Sequence, residues 1–495
     1  MSALNKLKFN NSFARLPNVF FSHVTPEALS GAHLASLNKD VVQLLELEDI
    51  DFTNAEHLAA FSGQTILASM QPIAQCYAGH QFGQFVPRLG DGRAIMLGEL
   101  ETQKNGKWDI QIKGSGPTPY SRGSDGKAVL RSTIREYLCG EAMHNLGIPS
   151  SRALCIIASD EEVYREKIET GAMLLRVSPS HIRFGSFEYF YHMNQFDHVK
   201  TLANYVIDTN YPELKNTANP YLELLAAVIK RTAKMIAAWQ AVGFSHGVMN
   251  SDNMSILGHT IDYGPYGFLD AYEPGFVCNH SDHHGRYAFD QQPSIGLFNL
   301  TCLAQALLPL FDDNGEKAAN IARAELEQYQ HVYVDAFSNK MRGKLGFTLQ
   351  REEDQAILQE LLELMATDKV DYSILFRQLS QFSTLEKQYN TSIRDHFIHR
   401  EAFDTWAEKY STRLQHEPLS DAQRAKRMNQ INPKYILRNY MAEAAIRKAQ
   451  DNQDYSEIDK LLELLRTPFD EQPENERYAG LPPDWAQAIS VSCSS

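Results

Sequence analysis

Between Asn219-Pro220 and Gly243 the chain carries one long apolar stripe. Leu225, Val228, Ile229, Thr232, Met235, Ile236 and Trp239 recur at the spacing of a helix face. Asn before Pro supplies a cap and a favourable first position, and Gly243 supplies a stop. A helix of that length with so apolar a face must be buried against a large body of other elements. It also anchors the segment after it, because it delivers the chain directly into His246 and a run of polar, metal-ligating residue types. With 495 residues and 43% hydrophobic content there is material for a large core and about three domain-sized units.

Residues 246–264 read His-Gly-Val-Met-Asn-Ser-Asp-Asn-Met-Ser-Ile-Leu-Gly-His-Thr-Ile-Asp-Tyr-Gly. In the protein-kinase pattern His-Arg-Asp-x-x-x-x-Asn, the catalytic Asp stands two residues after His and a metal-binding Asn seven after; a second metal-binding Asp opens Asp-Phe-Gly. His246, Asn253 and Asp262-Tyr263-Gly264 hold three of those places, while the fourth is Val248, which cannot take a proton. The segment therefore reads as one built to hold a nucleotide and Mg²⁺ while doing something other than ordinary phosphorylation. Asn253 and Asp262 offer the hard oxygens that Mg²⁺ takes, and Mn²⁺ accepts the same set. A short strand over 254–257 and a turn at Gly258 are expected to form a hairpin bringing both to one edge. Asp252 is the candidate substitute for the absent base; the alternative is a charged residue that anchors the loop.

Upstream, residues 94–97 and 108–112 are β-type runs that follow Gly90-Asp91-Gly92 and Asn105-Gly106, and they read as neighbouring antiparallel strands. Ile134, Tyr137, Leu138 and Ala142 then recur at helical spacing until Gly147 and Pro149. Strands followed by one helix suggest a small nucleotide-binding lobe. Gly90, Gly92 and Arg93 would let backbone amides approach phosphate with charge added, or they mark a plain hairpin turn. Lys113 ends a strand resembling the Val-Ala-Ile-Lys strand of kinases, and Glu136 on the following helix is the ion-pair partner that would fix it against phosphate oxygens. Arg176 and Arg183 frame a connection whose guanidinium forks suit a triphosphate, surface salt bridges being the alternative. Asp125-Gly126 belongs to the nucleotide set or caps the helix. A Walker loop ending at Gly126-Lys127 fails on Ser121 and Ala128, and a dinucleotide fingerprint from Gly114 meets Pro119 where glycine belongs.

The expected fold is α+β, a protein-kinase-like bilobal arrangement with a small β-rich N-lobe, a larger helical C-lobe and extensions at both ends. Its divisions are an N-terminal extension over 1–75, the N-lobe over 76–190, the C-lobe over 191–420, and a helical segment with a flexible tail over 421–495. Further helices are expected around 296–310, 318–336, 352–366 and 433–449, the last opening with Asn432-Pro433. A net charge of −14 argues against a surface that coats nucleic acid or anionic membrane. No run of about 18 uncharged apolar residues offers a bilayer span. The six cysteines are scattered without a close pair, so a reducing compartment, the cytoplasm, is expected; the basic start with Lys6, Lys8 and Arg15 leaves organelle targeting as the lesser reading.

These residues resemble the selenoprotein O family of protein adenylyltransferases, kinase-like proteins once regarded as inactive pseudokinases. The resemblance runs over most of the chain and rests on Asn11-Ser12-Phe13, residues 77–83 (Tyr-Ala-Gly-His-Gln-Phe-Gly), Gly90-Asp91-Gly92-Arg93, residues 113–119, His246-Gly247-Val248-Met249-Asn250, Asp252-Asn253-Met254, Asp262-Tyr263-Gly264-Pro265 and the terminal Cys493-Ser494-Ser495. It implies that ATP binds reversed relative to kinases and that AMP passes to a protein hydroxyl, on Ser, Thr or Tyr, with release of pyrophosphate. It further implies that Gly90, Gly92, Arg93, Lys113, Asp125, Gly126, Arg176, Arg183 and Asp262 surround ATP, that Asn253 and Asp262 hold Mg²⁺, and that Asp252 accepts the proton. Redox control through Cys493, with Cys278 as the first partner candidate, is implied in the same way. Conventional phosphotransfer and a non-catalytic ATP-binding scaffold are the competing readings.

Overall fold

In the computed structural model, which describes residues 3–492, the N-terminal part is built around one antiparallel sheet. Its order runs from the edge strand Phe21–His23 through Ile73–Gln75, Ala94–Glu101, Lys107–Lys113, Ile168–Ser178 and Arg152–Tyr164 to the other edge, His33–Leu37; the short strand Ala128–Val129 adds to Ile168–Ser178. The expected pair around 94–97 and 108–112 is present, Ile95 standing opposite Ile112. These strands read as unbroken apolar runs because both faces are covered. Met96, Ile156 and Leu174 face a core with Ile134 and Tyr137 of the helix Leu130–Asn145. Their neighbours Leu97, Cys155, Ile157, Met173 and Leu175 face a second core closed by Val41, Leu45, Phe52 and Phe61. The residues before Ile73 thus supply both edge strands and one lid of the sheet.

The remainder is helical. Pro220–Val242 forms as its stripe predicts: the Asn219 side chain accepts from Leu222 N at 3.2 Å, and Gly243 ends it at φ +72°, a conformation that glycine takes without strain. It packs against the helices Gln292–Leu307 and Gly315–Lys344. Trp239 near its end stacks on His246 with ring centroids 5.4 Å apart and donates to Thr260 Oγ1 at 2.9 Å, so the helix is bolted to the polar loop that it feeds. The segment Phe289–Leu310 is apolar and long enough to cross a membrane, but half of it is buried inside the protein.

Two local expectations differ from what forms. The helix expected from Asn432-Pro433 begins instead at Asn439. The Asn432 amide donates to Lys344 O at 2.9 Å rather than capping, and Tyr435, Ile436 and Leu437 run buried into the core before Arg438 pairs with Asp371 at 2.9 Å. Nor does 254–262 form a hairpin: Ser255 bridges Arg183 and Thr260 bridges Ser150, both remote in sequence. The turn at Gly258 is real, at φ +67°.

Lys344 is an oddity of the helical core. It is 3% exposed, its Nζ lies 4.6 Å from the centre of the Phe376 ring, and burial with Lys340 nearby pushes its ammonium down to about 7. Above that pH the unfolded chain binds the proton and the folded one does not, so stability rises with pH from about 7 towards the ordinary lysine value of 10.5; below about 7 the full cost of the buried charge is present. Lys344→Met is expected to stabilise the protein by about 1–3 kcal/mol at pH 7 and to flatten that rise. Urea denaturation of both proteins at pH 7 and pH 9 checks it.

Candidate functional site

Where the sheet meets the helical part there is a cleft of about 650 Å³. Gly90, Gly92, Arg93, Lys113, Asp125, Gly126, Arg176, Arg183, Asp252, Asn253 and Asp262 all line it, although they come from seven separate stretches of chain. Val248 lines it too, where the kinase pattern has its base. Glu136 stands behind Lys113, and Cys278 is outside the cleft.

The inner end is a charge network. Lys113 ends its strand with Nζ 2.5 Å from Glu136 Oε2, and Arg176, two positions further along the neighbouring strand than Lys113's partner Leu174, reaches the same carboxylate with Nε at 2.6 Å. Arg176 Nη2 also meets Asp262 Oδ1 at 2.7 Å, and Arg183 pairs with Asp262 Oδ2 while donating to Asp252 O at 2.7 Å. Lys113, Arg176 and Arg183 are 3%, 6% and 2% exposed, so the surface-salt-bridge reading of the arginines does not hold. Burial would raise the carboxyl pKa of Asp262, but Arg183 and Arg176 reverse the sign and hold it well below the usual range. Glu136 is kept ionised in the same way, burial being outweighed by Arg176 and Lys113. Lys113 pays for its position: burial lowers it to about 8 despite Glu136. Arg93 forms no ion pair among the described residues, and burial beside Arg176 lowers its pKa.

Asp262 has φ +58°, uncommon for a residue with a side chain, and its two ion pairs fix the carboxylate in that pose. His246, buried beneath, donates Nε2–H to Ile261 O at 2.9 Å and receives Val248 N at Nδ1 at 3.4 Å, which ties the two halves of the loop together. Asn253 donates its amide nitrogen to Val248 O at 3.0 Å, so its oxygen is the end left for a ligand. Asp252 accepts from Gln81 Nε2 at 3.2 Å through Oδ2, its Oδ1 is buried with no hydrogen-bond partner among the described residues, and burial raises its pKa to about 7.

The outer end is different. Gly90, at φ +105°, packs on Tyr120, and Gly92 donates to Gly90 O at 2.7 Å; the loop feeds the strand Ala94–Glu101, which pairs with other strands, so it is no hairpin turn. Asp125 is held by Arg165 at 2.8 Å and accepts from Lys127 N at 3.0 Å, so it caps no helix. Gly126 admits no side chain, since a Cβ there would lie 2.0 Å from Gly116 O. Residues 122–125 are exposed, so the cleft grades from buried cations inside to an open mouth.

Sequence reasoning did not single out Tyr77, whose ring lies 4.9 Å from the Arg183 guanidinium, or Gln81, although both fall in the 77–83 run that carried the resemblance. It also missed Asp91, buried and accepting from Gln75 N at 3.0 Å, and Arg165 in the turn of a strand pair. Arg165 left no signal in spacing or composition.

A family model described as protein adenylyltransferase SelO matches residues 3–466. Full-length relatives carry the description protein nucleotidyltransferase YdiU. That of Thioalkalivibrio sulfidiphilus is 54% identical over 495 residues, covering 100% of both chains. Those of Myxococcus xanthus and Aliivibrio salmonicida are 51% and 49% identical, again over 100% of each chain.

Proposed function

Because the chain belongs to the SelO family of protein adenylyltransferases, we propose that it transfers AMP from ATP to serine, threonine or tyrosine hydroxyls of other proteins, with ATP lying reversed relative to its pose in protein kinases. The observation that carries this reading is the position of the buried cations. A purine at the inner end would be pressed against Lys113, Arg176 and Arg183, whereas β- and γ-phosphates there find three donors. The adenosine then lies towards the mouth, and the α-phosphorus falls between, beside Asp252 and Asn253. The acceptor oxygen bonds to that phosphorus, the α–β anhydride bond breaks, pyrophosphate leaves, and the Asp252 carboxylate takes the hydroxyl proton. A carboxylate raised to about 7 with one bare oxygen suits that task.

A divalent cation fits the residues present: one amide oxygen and one ionised carboxylate are a hard-oxygen set suited to Mg²⁺ or Mn²⁺. Asn253 and Asp262 would hold it, and when bound it would neutralise phosphate charge. The chain's own residues do the rest. Lys113, fixed by Glu136, and the two arginines align the outer phosphates, and Arg93 adds a cation without a carboxylate partner among the described residues. Lys113→Ala is expected to lower kcat/KM about 10²-fold with the fold retained, checked by initial rates and circular dichroism.

The same reading treats the sheet part and the helical part as the two lobes of a kinase-like body, with the extensions at 1–75 and 421–495 packed on them. The described cysteines are all unpaired and buried, which supports work in a reducing compartment, the cytoplasm. Under oxidation Cys493, which lies outside the described residues, would bond to Cys278; support comes from His280 N donating to Val491 O at 3.0 Å, beside Cys278 in sequence. Mass spectrometry without reductant after mild oxidation is expected to find the linked peptides, and free thiols at both positions would remove the idea. The transfer itself is tested with labelled ATP, Mg²⁺ and a native protein extract. Label from the α-phosphate should enter protein and label from the γ-phosphate should not; γ-label would favour phosphotransfer, and no label a scaffold.

A further inference from the structure

Beside the short turn Ser251–Asn253, three ligand-type side chains meet from three elements. His80 comes from the strand Gly79–Gln81, Glu188 from the helix Phe184–His192 and Cys302 from the helix Gln292–Leu307, and one ligand atom of each lies within 4.8 Å of the others. None of the three lines the nucleotide cleft. His80 Nδ1 is 2.5 Å from Glu188 Oε2. Glu188 is 0% exposed and its Oε1 has no hydrogen-bond partner among the described residues, while Cys302 is 7% exposed. A buried carboxylate with a bare oxygen, facing a thiol and an imidazole, is a donor set short of a cation.

We propose that His80, Glu188 and Cys302 form a second metal site, separate from the nucleotide's, that takes a zinc-like transition cation. Imidazole, thiolate and carboxylate are the ligand types of zinc, and the sulfur selects against Mg²⁺. Within the ligand set charge balances, one carboxylate and one thiolate neutralising a divalent ion, with the Arg286 guanidinium nearby. On binding, a metal–sulfur bond forms, the thiol proton goes to solvent, and the His80–Glu188 hydrogen bond opens, the Nδ1 proton passing to Nε2 through solvent so that the ring binds as neutral imidazole. Bonds of about 2.0–2.3 Å place tetrahedral ligands about 3.3–3.8 Å apart, so the observed spread needs an adjustment of about 1 Å. The fourth position is left for water. The ion would clamp the strand that carries Gln81, the Asp252 partner, and whose His80 N donates to Ser251 Oγ at 2.7 Å, onto two helices of the body.

Co²⁺ titrated into the full-length, chelator-stripped protein tests this, since cobalt reports sulfur ligation by colour. One equivalent per chain is expected to give a thiolate-to-cobalt charge-transfer band that Zn²⁺ bleaches on displacing it. The band should vanish in Cys302→Ser and survive in Cys278→Ser. Occupation of the nucleotide's metal site gives no such band, because its ligands are oxygens. Absence of the band in the wild-type protein overturns the proposal without recourse to any variant, as does a band that persists in Cys302→Ser. Should Cys302→Ser fail to fold, Glu188→Gln replaces it: at least a tenfold weaker Co²⁺ affinity is expected, and unchanged affinity overturns the site.

Discussion

Asp262→Ala is expected to lower AMP transfer by about 10³-fold or more, while nucleotide binding in the absence of divalent metal is retained or becomes tighter. The two halves of that outcome have one cause. Without nucleotide, Asp262 occupies Arg176 and Arg183 itself, so phosphates must displace a carboxylate to reach them. Removing the carboxylate frees the arginines for phosphate but, on the proposed metal assignment, deletes the charged ligand of the cation. A loss of about 4 kcal/mol in transition-state stabilisation corresponds to the stated factor. Stability should fall by about 1–3 kcal/mol, because Arg183 loses its buried counter-charge while Arg176 keeps Glu136. Calorimetric titration with ATP in chelator, set beside initial rates with Mg²⁺, checks both halves. Intact activity in this variant would break the metal assignment.

Asp252→Asn is expected to cost about 10²–10³-fold in kcat with the affinity for ATP and Mg²⁺ unchanged within about twofold. Shape is preserved, and the Gln81 amide still finds an acceptor, since the asparagine oxygen can take the place of Oδ2. The loss is confined to the proton acceptor, whose Oδ1 packs on Gly79 and has no hydrogen-bond partner among the described residues. If Asp252 only anchored the loop, the substitution would change the melting temperature and the Arg183 contact to its carbonyl more than the rate. Initial rates at saturating ATP, with thermal unfolding of the same samples, separate the two roles.

The candidate site of this chain was legible where it is local. His246, Asn253 and Asp262 stand at readable spacing, the helix before them announces itself by its stripe and cap, and Lys113 and Glu136 follow from a strand and the next helix. The hidden features depend on pairings distant in sequence. Arg176 and Arg183 looked equally suited to the surface, because nothing local reveals that Glu136 and Asp262 lie 40 and 79 residues away along the chain yet in contact. The strands Arg152–Tyr164 and Ile168–Ser178 lack alternation, being covered on both faces, so periodicity could not find them. The expected hairpin after Asn253 failed for a related reason: its backbone is claimed by Arg183 and Ser150 rather than by itself. Asn432-Pro433 carried a sound cap signal, but its amide nitrogen is tied to Lys344 O and its oxygen meets no N–H of a following turn, because Tyr435, Ile436 and Leu437 run buried into the core instead.

The orientation of ATP is the claim on which the rest turns, and a crystal structure of the protein with Mg²⁺ and a non-hydrolysable ATP analogue decides it. The γ-phosphate is expected at the inner end, within hydrogen-bond reach of Lys113 and Arg176, with adenine near Tyr120 at the mouth and the α-phosphorus facing Asp252. Adenine lodged at the inner end with the γ-phosphate pointing out of the cleft would refute the reversed pose.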